Sequence, residues 1–154
     1  ALEAIQLKLR QIDGGNSYNF ATKLNSVVLD PAVNIMTLPP TELPFFIVEP
    51  TPEGSKFYMP AMRLKHSFQV VITARHDAPG GTNVIRKTQT WERLIADMEY
   101  ALTHTGSSDD VTLGGKCVDV RLLEPTPGFD LGGTPTVIVV QPLVVTLIRT
   151  YGAP

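Results

Sequence analysis

Two segments of the chain carry apolar residues at helical spacing. Leu2, Ile5, Leu9 and Ile12 recur every three or four residues and so share one face of an N-terminal helix. Gly14-Gly15 ends this helix, because glycine accepts the left-handed conformation of a helix C-cap. The second pattern predicts the main helix over 82–105, and its apolar positions are Trp91, Leu94, Ile95, Met98, Ala101 and Leu102.

Alternation with a period of two predicts strands in the rest of the chain. The clearest case is 64–75, where Phe68, Val70, Ile72 and Ala74 point to one face. The strand character of 45–48 and the turn residues Glu53-Gly54-Ser55 predict a hairpin whose arms are 45–52 and 57–75. Shorter strands are predicted over 23–29, 111–113 and 117–122.

The last predicted strand, 136–151, is rich in β-branched residues and apolar on both faces near its middle. This composition favours a central position in the sheet. Pro142 conflicts with that position unless it lies at a bulge or a strand edge, because proline has no N–H for the ladder.

The order of helices and strands predicts the fold class. Most connections between strands are too short for parallel crossovers. We therefore expect one α+β domain over 1–154. Its mostly antiparallel sheet packs against the N-terminal helix and one longer central helix, and it carries an extended β-hairpin.

Composition and charge exclude some functions. Hydrophobic residues make up 43% and charged residues 18% of the 154 residues, and the charged fraction is below the usual quarter. A net charge of −2 gives no long-range attraction for nucleic acid. Cys117 is the single cysteine, which rules out an internal disulfide. With no apolar run of membrane-spanning length, we expect a soluble protein made in the cytosol.

The residues with reactive side chains form no recognisable catalytic motif. Cys117 falls inside a predicted strand and is interpreted as a buried thiol. His66 and His76 are too far apart along one strand to share an ion. His104 at the end of the main helix is interpreted as a capping residue. Asp109-Asp110 has no further ligand pattern around it, so we predict no enzyme and no catalytic, metal or cofactor site.

Basic and aromatic residues interleave in one arm of the hairpin. Such a mixture can bind single-stranded nucleic acid. It can equally provide the anchors of a subunit contact, because an exposed hairpin offers edge hydrogen bonds as well as side chains. The net acidic chain favours the subunit contact. The residues concerned are Lys56, Phe57, Tyr58, Arg63, Lys65 and His66.

The layout as a whole resembles the tail terminator (tail completion) proteins of long-tailed bacteriophages. The likeness covers nearly the whole chain and is a pattern of elements, without a catalytic signature. The segments that carry it are Gly14-Gly15, Tyr18-Asn19, 44–50, 66–71, 91–102, Leu113-Gly114-Gly115 and 149–152.

The resemblance implies a structural protein of the virion, assembled in the host cytoplasm. It implies a homo-oligomeric ring, hexameric in this family, that caps the tail tube, stops its polymerisation and joins the tail to the head. The implied partners are other copies of the chain, the tail tube protein and a neck or head-completion protein. DNA would pass through the lumen without specific binding, and no membrane is involved.

A ring of this kind needs two different surfaces that meet between neighbouring copies. Aromatic residues are enriched at the energetic centres of such contacts. Core positions are the competing interpretation for the aromatic candidates, above all for the first two. The candidate interface residues are Phe45, Phe46, Lys56, Phe57, Tyr58, Arg149 and Tyr151.

Three other functions stay open at this point. One is a different joining protein of the virion, such as a neck or sheath-end subunit. Another is a small-ligand or enzymatic domain with Asp109, Asp110 and His104 together at a pocket. The last is a nucleic-acid-binding module that uses the hairpin.

Overall fold

The computed structural model describes residues 1–15, 17–29, 32–78, 84–129 and 134–150. It confirms the α+β class, with an N-terminal helix, a longer central helix and a mostly antiparallel sheet. Helix α1 is Leu2–Arg10 and helix α2 is Val84–Thr103. The strands are β1 (Val27–Val28), β2 (Phe45–Met59), β3 (Arg63–Asp77), β4 (His104–Thr105), β5 (Ser108–Asp109), β6 (Asp119–Leu122), β7 (Thr126–Phe129) and β8 (Thr136–Thr150).

The main sheet has the strand order β1-β2-β3-β8-β6, with β7 also paired to β8. All of its pairs are antiparallel except β1 with β2, which is a parallel pair of two residues. Strand β8 lies between β3 on one side and β6 and β7 on the other, as its apolar composition predicts. Strands β4 and β5 form a separate two-stranded ladder after α2.

Pro142 lies where the partner strand of β8 changes. Strand β6 pairs with residues 143–146 and β7 pairs with 137–140, so Pro142 faces the short crossing between them. Its carbonyl accepts the Leu123 N–H at 3.0 Å, and the buried Gln141 donates its side-chain amide to the Leu123 carbonyl at 2.7 Å. Neither β6 nor β7 pairs with Pro142, so its missing N–H removes no ladder hydrogen bond on that side of β8.

Both helices pack on one face of the sheet and form the core with it. The sheet residues of this core come from alternate positions of β2, β3 and β8, as the period of two predicts. Leu94, Met98 and Leu102 of α2 and Ile5 and Leu9 of α1 are fully buried against them.

Part of the opposite sheet face is covered by the proline-rich segment 32–43. A second apolar cluster joins Leu43, Phe45 and Ile47 to this segment. Arg75 of β3 anchors the segment by donating to the carbonyls of Ile35 and Leu38 at 2.9 and 3.4 Å. Further along the sheet, from Ser55 onward, the same face is open.

The predicted hairpin turn is wrong. Strand β2 continues through residues 53–55 with a register shift between Pro50 and Gly54, and the turn lies at residues 60–62. Ala61 and Met62 adopt the left-handed conformation there, with φ of 64° and 56°. The prediction followed the turn residues around Gly54, but a bulge also uses glycine, and the true turn contains none.

Several shorter predictions need correction. The strand predicted over 23–29 is limited to Val27–Val28, after a single 3₁₀ turn. The stretch 111–113 is a turn and no strand, and the strand after it begins at Asp119. Helix α2 ends at Thr103, and residues 82 and 83 at its predicted start lie outside the described residues.

Candidate subunit interface

Residues of three neighbouring strands form what we call the arm. It consists of residues 54–68 of β2, its turn and β3, together with residues 145–150 of β8. Its rows are in register across the strands, so that Phe57 faces Lys65 and Lys65 faces Ile148. The extended hairpin expected from the sequence is therefore reinforced by a third strand.

The structure separates the predicted interface residues into two groups. Phe45 and Phe46 are 3% and 0% exposed and belong to the two apolar clusters on opposite faces of the sheet. Both are core residues, because each side chain is buried on its own face of the sheet and leaves no surface for a neighbouring copy. The adjacent positions point to opposite faces, which explains why both are apolar.

Phe57 and Tyr58 have the opposite environment. They are 67% and 68% exposed, although both are large aromatic residues. Lys56 beside them is exposed as well, and Met62 at the hairpin turn is 58% exposed. Exposed aromatic and basic groups together are typical of a surface that another molecule covers.

Arg149 lies on β8 of the arm, opposite Leu64 of β3, and is exposed. It therefore adds a positive charge to the same end of the sheet as Lys56. Tyr151 falls outside the described residues. The interface role of Lys56, Phe57, Tyr58 and Arg149 stays a prediction.

Charge is segregated between the arm and the rest of the chain. The arm contains four basic residues, Lys56, Arg63, Lys65 and Arg149, and no acidic one. Since the chain carries −2 overall, the other residues together carry −6. The near-neutral net charge is thus the sum of a basic arm and an acidic remainder of the chain, which we call the body.

One edge of the arm is open. Strand β1 pairs with β2 only at Phe46 and Ile47. Among the described strands, β3 is therefore the single partner of β2 from Gly54 to Met59. An unpaired strand edge presents backbone N–H and C=O groups that another chain can use.

On the far edge of the sheet, a compact loop leads from α2 into β6. Asp110 organises it by accepting from the Thr112 N–H at 2.8 Å and the Gly114 N–H at 3.0 Å. The buried Lys8 of α1 donates to the His104 carbonyl at 2.9 Å and lies 3.4 Å from Asp110. These contacts hold the loop against α1 and fix the direction in which its outer residues point.

The outer side chains of this loop form what we call the loop patch: Asp109, Val111, Lys116, Val118 and Asp119. Val111 and Val118 are 40% and 48% exposed, and the Asp109 side chain is 96% exposed. The Val118 N–H donates to the Thr146 carbonyl at 2.8 Å, which places the patch beside β8 at the base of the arm. Sequence reasoning missed this patch, because isolated valines in a loop carry no periodicity.

The residues of the enzymatic alternative do lie together. His104 Nε2 is 3.2 Å from Asp109 Oδ1, and the His104 ring stacks on Tyr100 at 4.1 Å. Asp110, however, already accepts from the loop, and those hydrogen bonds hold the pKa of its carboxyl well below the usual range. A carboxylate stabilised in this way is a weak base and has few lone pairs left for a ligand.

The other reactive groups also have structural explanations. Cys117 is half-buried, and burial together with the nearby Asp119 raises the pKa of its thiol, which disfavours the nucleophilic thiolate. Within the described residues, no group of three or more His, Cys, Asp and Glu side chains is arranged to hold a metal ion.

Two comparisons of the sequence with known proteins give no match. No protein-family model matches the sequence, and no curated protein matches it at a significant level. In the part of the chain that the structure describes, neither helix has the length and apolar character needed to cross a membrane.

Proposed function

We propose that this chain is a structural subunit that assembles into a ring, six-fold by the family resemblance, at the end of a bacteriophage tail tube. The ring caps the tube, stops its polymerisation and gives the head or neck a docking surface. The proposal places the protein in the tail or neck of the virion, after assembly in the host cytoplasm. Its partners are further copies of itself, the tail tube protein and a neck or head-completion protein.

The observation that carries the proposal is the arm. It presents an open strand edge, two exposed aromatic side chains and four cations at one end of a well-packed sheet. These features have a cost for an isolated chain, because exposed edges and apolar groups promote unwanted association. They are expected of a subunit whose arm is covered by a neighbour.

The sequence resemblance supplies the tail tube and the head as partners. The fold is compatible with it, since the resemblance implies a mixed fold in which helices flank a sheet, and both helices of this chain pack on its sheet. The body supports the passage of DNA through the ring, because its described residues expose eight acidic side chains against five basic ones, and this excess repels the phosphate backbone. Another joining protein of the neck or sheath end would use the same features, and its position in a particle distinguishes it.

The proposal is tested by mixing the purified chain with polymerising tail tube protein. We expect short tubes of limited length with density for the chain at one end, seen by negative-stain electron microscopy. Tube growth that continues at the same rate, with no chain bound at either end, would overturn the capping function. Tight binding of DNA at physiological salt would overturn the passive passage of DNA.

A further inference from the structure

The outer edge of β2 changes character along the strand. After its short pairing with β1, the strand contains Pro50, Pro52 and a shift of register before Gly54. Prolines, which have no N–H, and irregular strands protect a sheet edge from pairing with another chain. From Gly54 to Met59 there is no proline, and the strand pairs regularly with β3. This last stretch, which we call the open edge, can therefore accept a further strand.

The side chains of the open edge are exposed on both faces of the sheet. Phe57 lies in one row with Lys65 on the face opposite the helices, whereas Tyr58 pairs with Leu64 and points to the face that carries the helices. Both aromatic side chains are mostly exposed. A molecule seated on one face would cover one of them, but a further strand at the edge would place its side chains beside both.

The other edge of the sheet is formed by β6. Among the described strands, β8 is the single partner of β6, and residues 119–122 contain no proline. Asp119 and Arg121 are exposed on the face opposite the helices, while Val120 between them is buried in the core. The sheet therefore ends in a regular strand on this side as well.

The directions of the strands determine how two copies can join. Strand β2 is antiparallel to β3, β3 to β8, and β8 to β6. The two edges of the sheet consequently run in opposite directions. When two copies stand side by side in the same orientation, β6 of one copy is antiparallel to β2 of the next, as in the rest of the sheet. The backbone groups that such a pair uses require no matching of surface charges.

We propose that the open edge of one copy pairs with β6 of the next, so that neighbouring copies share one continuous sheet. Two different edges meet in this contact, which makes it heterologous, and its repetition closes a ring or continues as a filament. The inference rests on the proposed ring and names the contact that builds it.

The alternation of side chains restricts the register of the new pair. The strand pairings place Asp119 in one row with Ser55, on the face opposite the helices. Phe57 and Arg121 are each two residues from this row and share its face. The joined edges therefore place Phe57 beside Asp119 or Arg121, whereas a slip of one residue would place it beside Val120 and turn every side chain to the wrong face.

The tilt of strands in a closed sheet selects between these registers. In a flat continuation Asp119 is level with Ser55. Over the four strands of one copy, a tilt of about 35–45° shifts the next copy by about four to six residues along the edge. A shift toward the prolines of β2 would remove backbone donors, so the shift runs toward Met59. Arg121 then lies beside Phe57, where its guanidinium can stack on the ring.

Cysteine cross-linking tests the pairing. Opposite residues of an antiparallel pair have Cα atoms about 4.5–5.5 Å apart, a separation that a disulfide bridges. In a Cys117→Ala background, one variant carries Phe57→Cys with Arg121→Cys. On mild oxidation we expect a ladder of covalent oligomers on non-reducing gels, because each copy offers both halves of the contact. Variants that carry either new cysteine alone should stay single chains.

Two further variants make the result specific. Met59→Cys with Asp119→Cys probes the same register and keeps Phe57, and we expect it to give the ladder too. Lys56→Cys with Arg121→Cys is the matched control, because Lys56 is exposed and adjacent to Phe57 but points to the other face. We expect no ladder from the control. Light scattering of the reduced variants checks that each assembles like the wild type.

The outcomes are distinct from those that test capping. Assembled chains that give no ladder in either test pair, or a control that cross-links as fast as they do, would overturn the edge pairing and leave the ring intact. A rapid dimer from Phe57→Cys alone would overturn it as well, by showing a two-fold contact between β2 edges. A chain that stays single under all conditions would refute both the pairing and the ring. A ladder from chains that do not cap tubes would support the pairing and refute the capping function.

Discussion

A buried carboxylate on α2 holds the segment that follows α1. Asp97 is 0% exposed and accepts from the Asn19 N–H at 2.8 Å, the Asn19 side-chain amide at 3.0 Å and the Phe20 N–H at 2.9 Å. Tyr18 beside these donors packs edge-on against Tyr100 at 5.4 Å. Asp97→Ala would remove all three hydrogen bonds and free the segment 17–22 from α2.

The size of the effect follows from these contacts. Each hydrogen bond to a charged acceptor contributes about 1.5 kcal/mol or somewhat more. Burial raises the pKa of Asp97, which shows that keeping the charge in this site has a cost that the substitution removes. We therefore expect a net loss of about 2–3 kcal/mol in the free energy of unfolding. For a chain of this size that corresponds to a fall in Tm of about 5–10 °C.

Urea denaturation measures this loss directly. The single tryptophan, Trp91, is half-buried on the same helix, and its fluorescence reports unfolding. Glu99→Ala is the matched control, because Glu99 is an exposed carboxylate two residues away, and we expect it to change stability by less than about 0.5 kcal/mol. If Asp97→Ala cost no more than this control, Asp97 would not hold the segment.

Three further predictions concern other parts of the fold. Burial lowers the pKa of His76, so its contribution to stability is present above the unfolded pKa of about 6.5 and is lost as the pH falls through the folded pKa. We therefore expect His76→Phe to flatten the decline of the urea midpoint below pH 6.5. An unchanged slope would contradict this. Arg75→Met leaves the carbonyls of Ile35 and Leu38 without this donor, and we expect the free energy of unfolding to fall by about 2–3 kcal/mol. Proteolysis within 32–43 should also become faster. Equal cleavage rates in the variant and the wild type would show that Arg75 does not anchor the segment. A Cβ at Gly54 would lie 2.8 Å from the Ser67 carbonyl oxygen of β3, so we expect Gly54→Ala to cost about 1–3 kcal/mol in thermal unfolding and Ser55→Ala to cost almost nothing; equal values would refute the close approach.

The sequence carries enough information for the fold because its strong patterns are long. Over α2 and β3, many buried residues repeat with one period, and each repeat supports the same element. The composition of β8 likewise predicts its place between two neighbours. Short elements such as β1 owe their conformation to pairing with a distant strand. The local pattern alone therefore predicts a longer strand, 23–29, than the structure has.

The interface residues are harder to predict from the sequence than the fold, because burial of an aromatic residue depends on tertiary packing. Phe45 and Phe57 look alike in sequence, yet one is packed under the segment 32–43 and the other is on the open arm. The loop patch depends on contacts between Lys8 and residues about a hundred positions later. Pairings of that range leave no signal in a single sequence.

The central claim is that the chain forms a ring, and the mass of the assembly in solution tests it most directly. Six chains of 16.8 kDa give about 101 kDa. We predict that mass by light scattering over a range of concentrations, with rings in negative stain of the same sample, or the same rings seated on the ends of added tail tubes. A chain that stays at 16.8 kDa at every concentration and leaves the ends of added tubes bare would contradict the account.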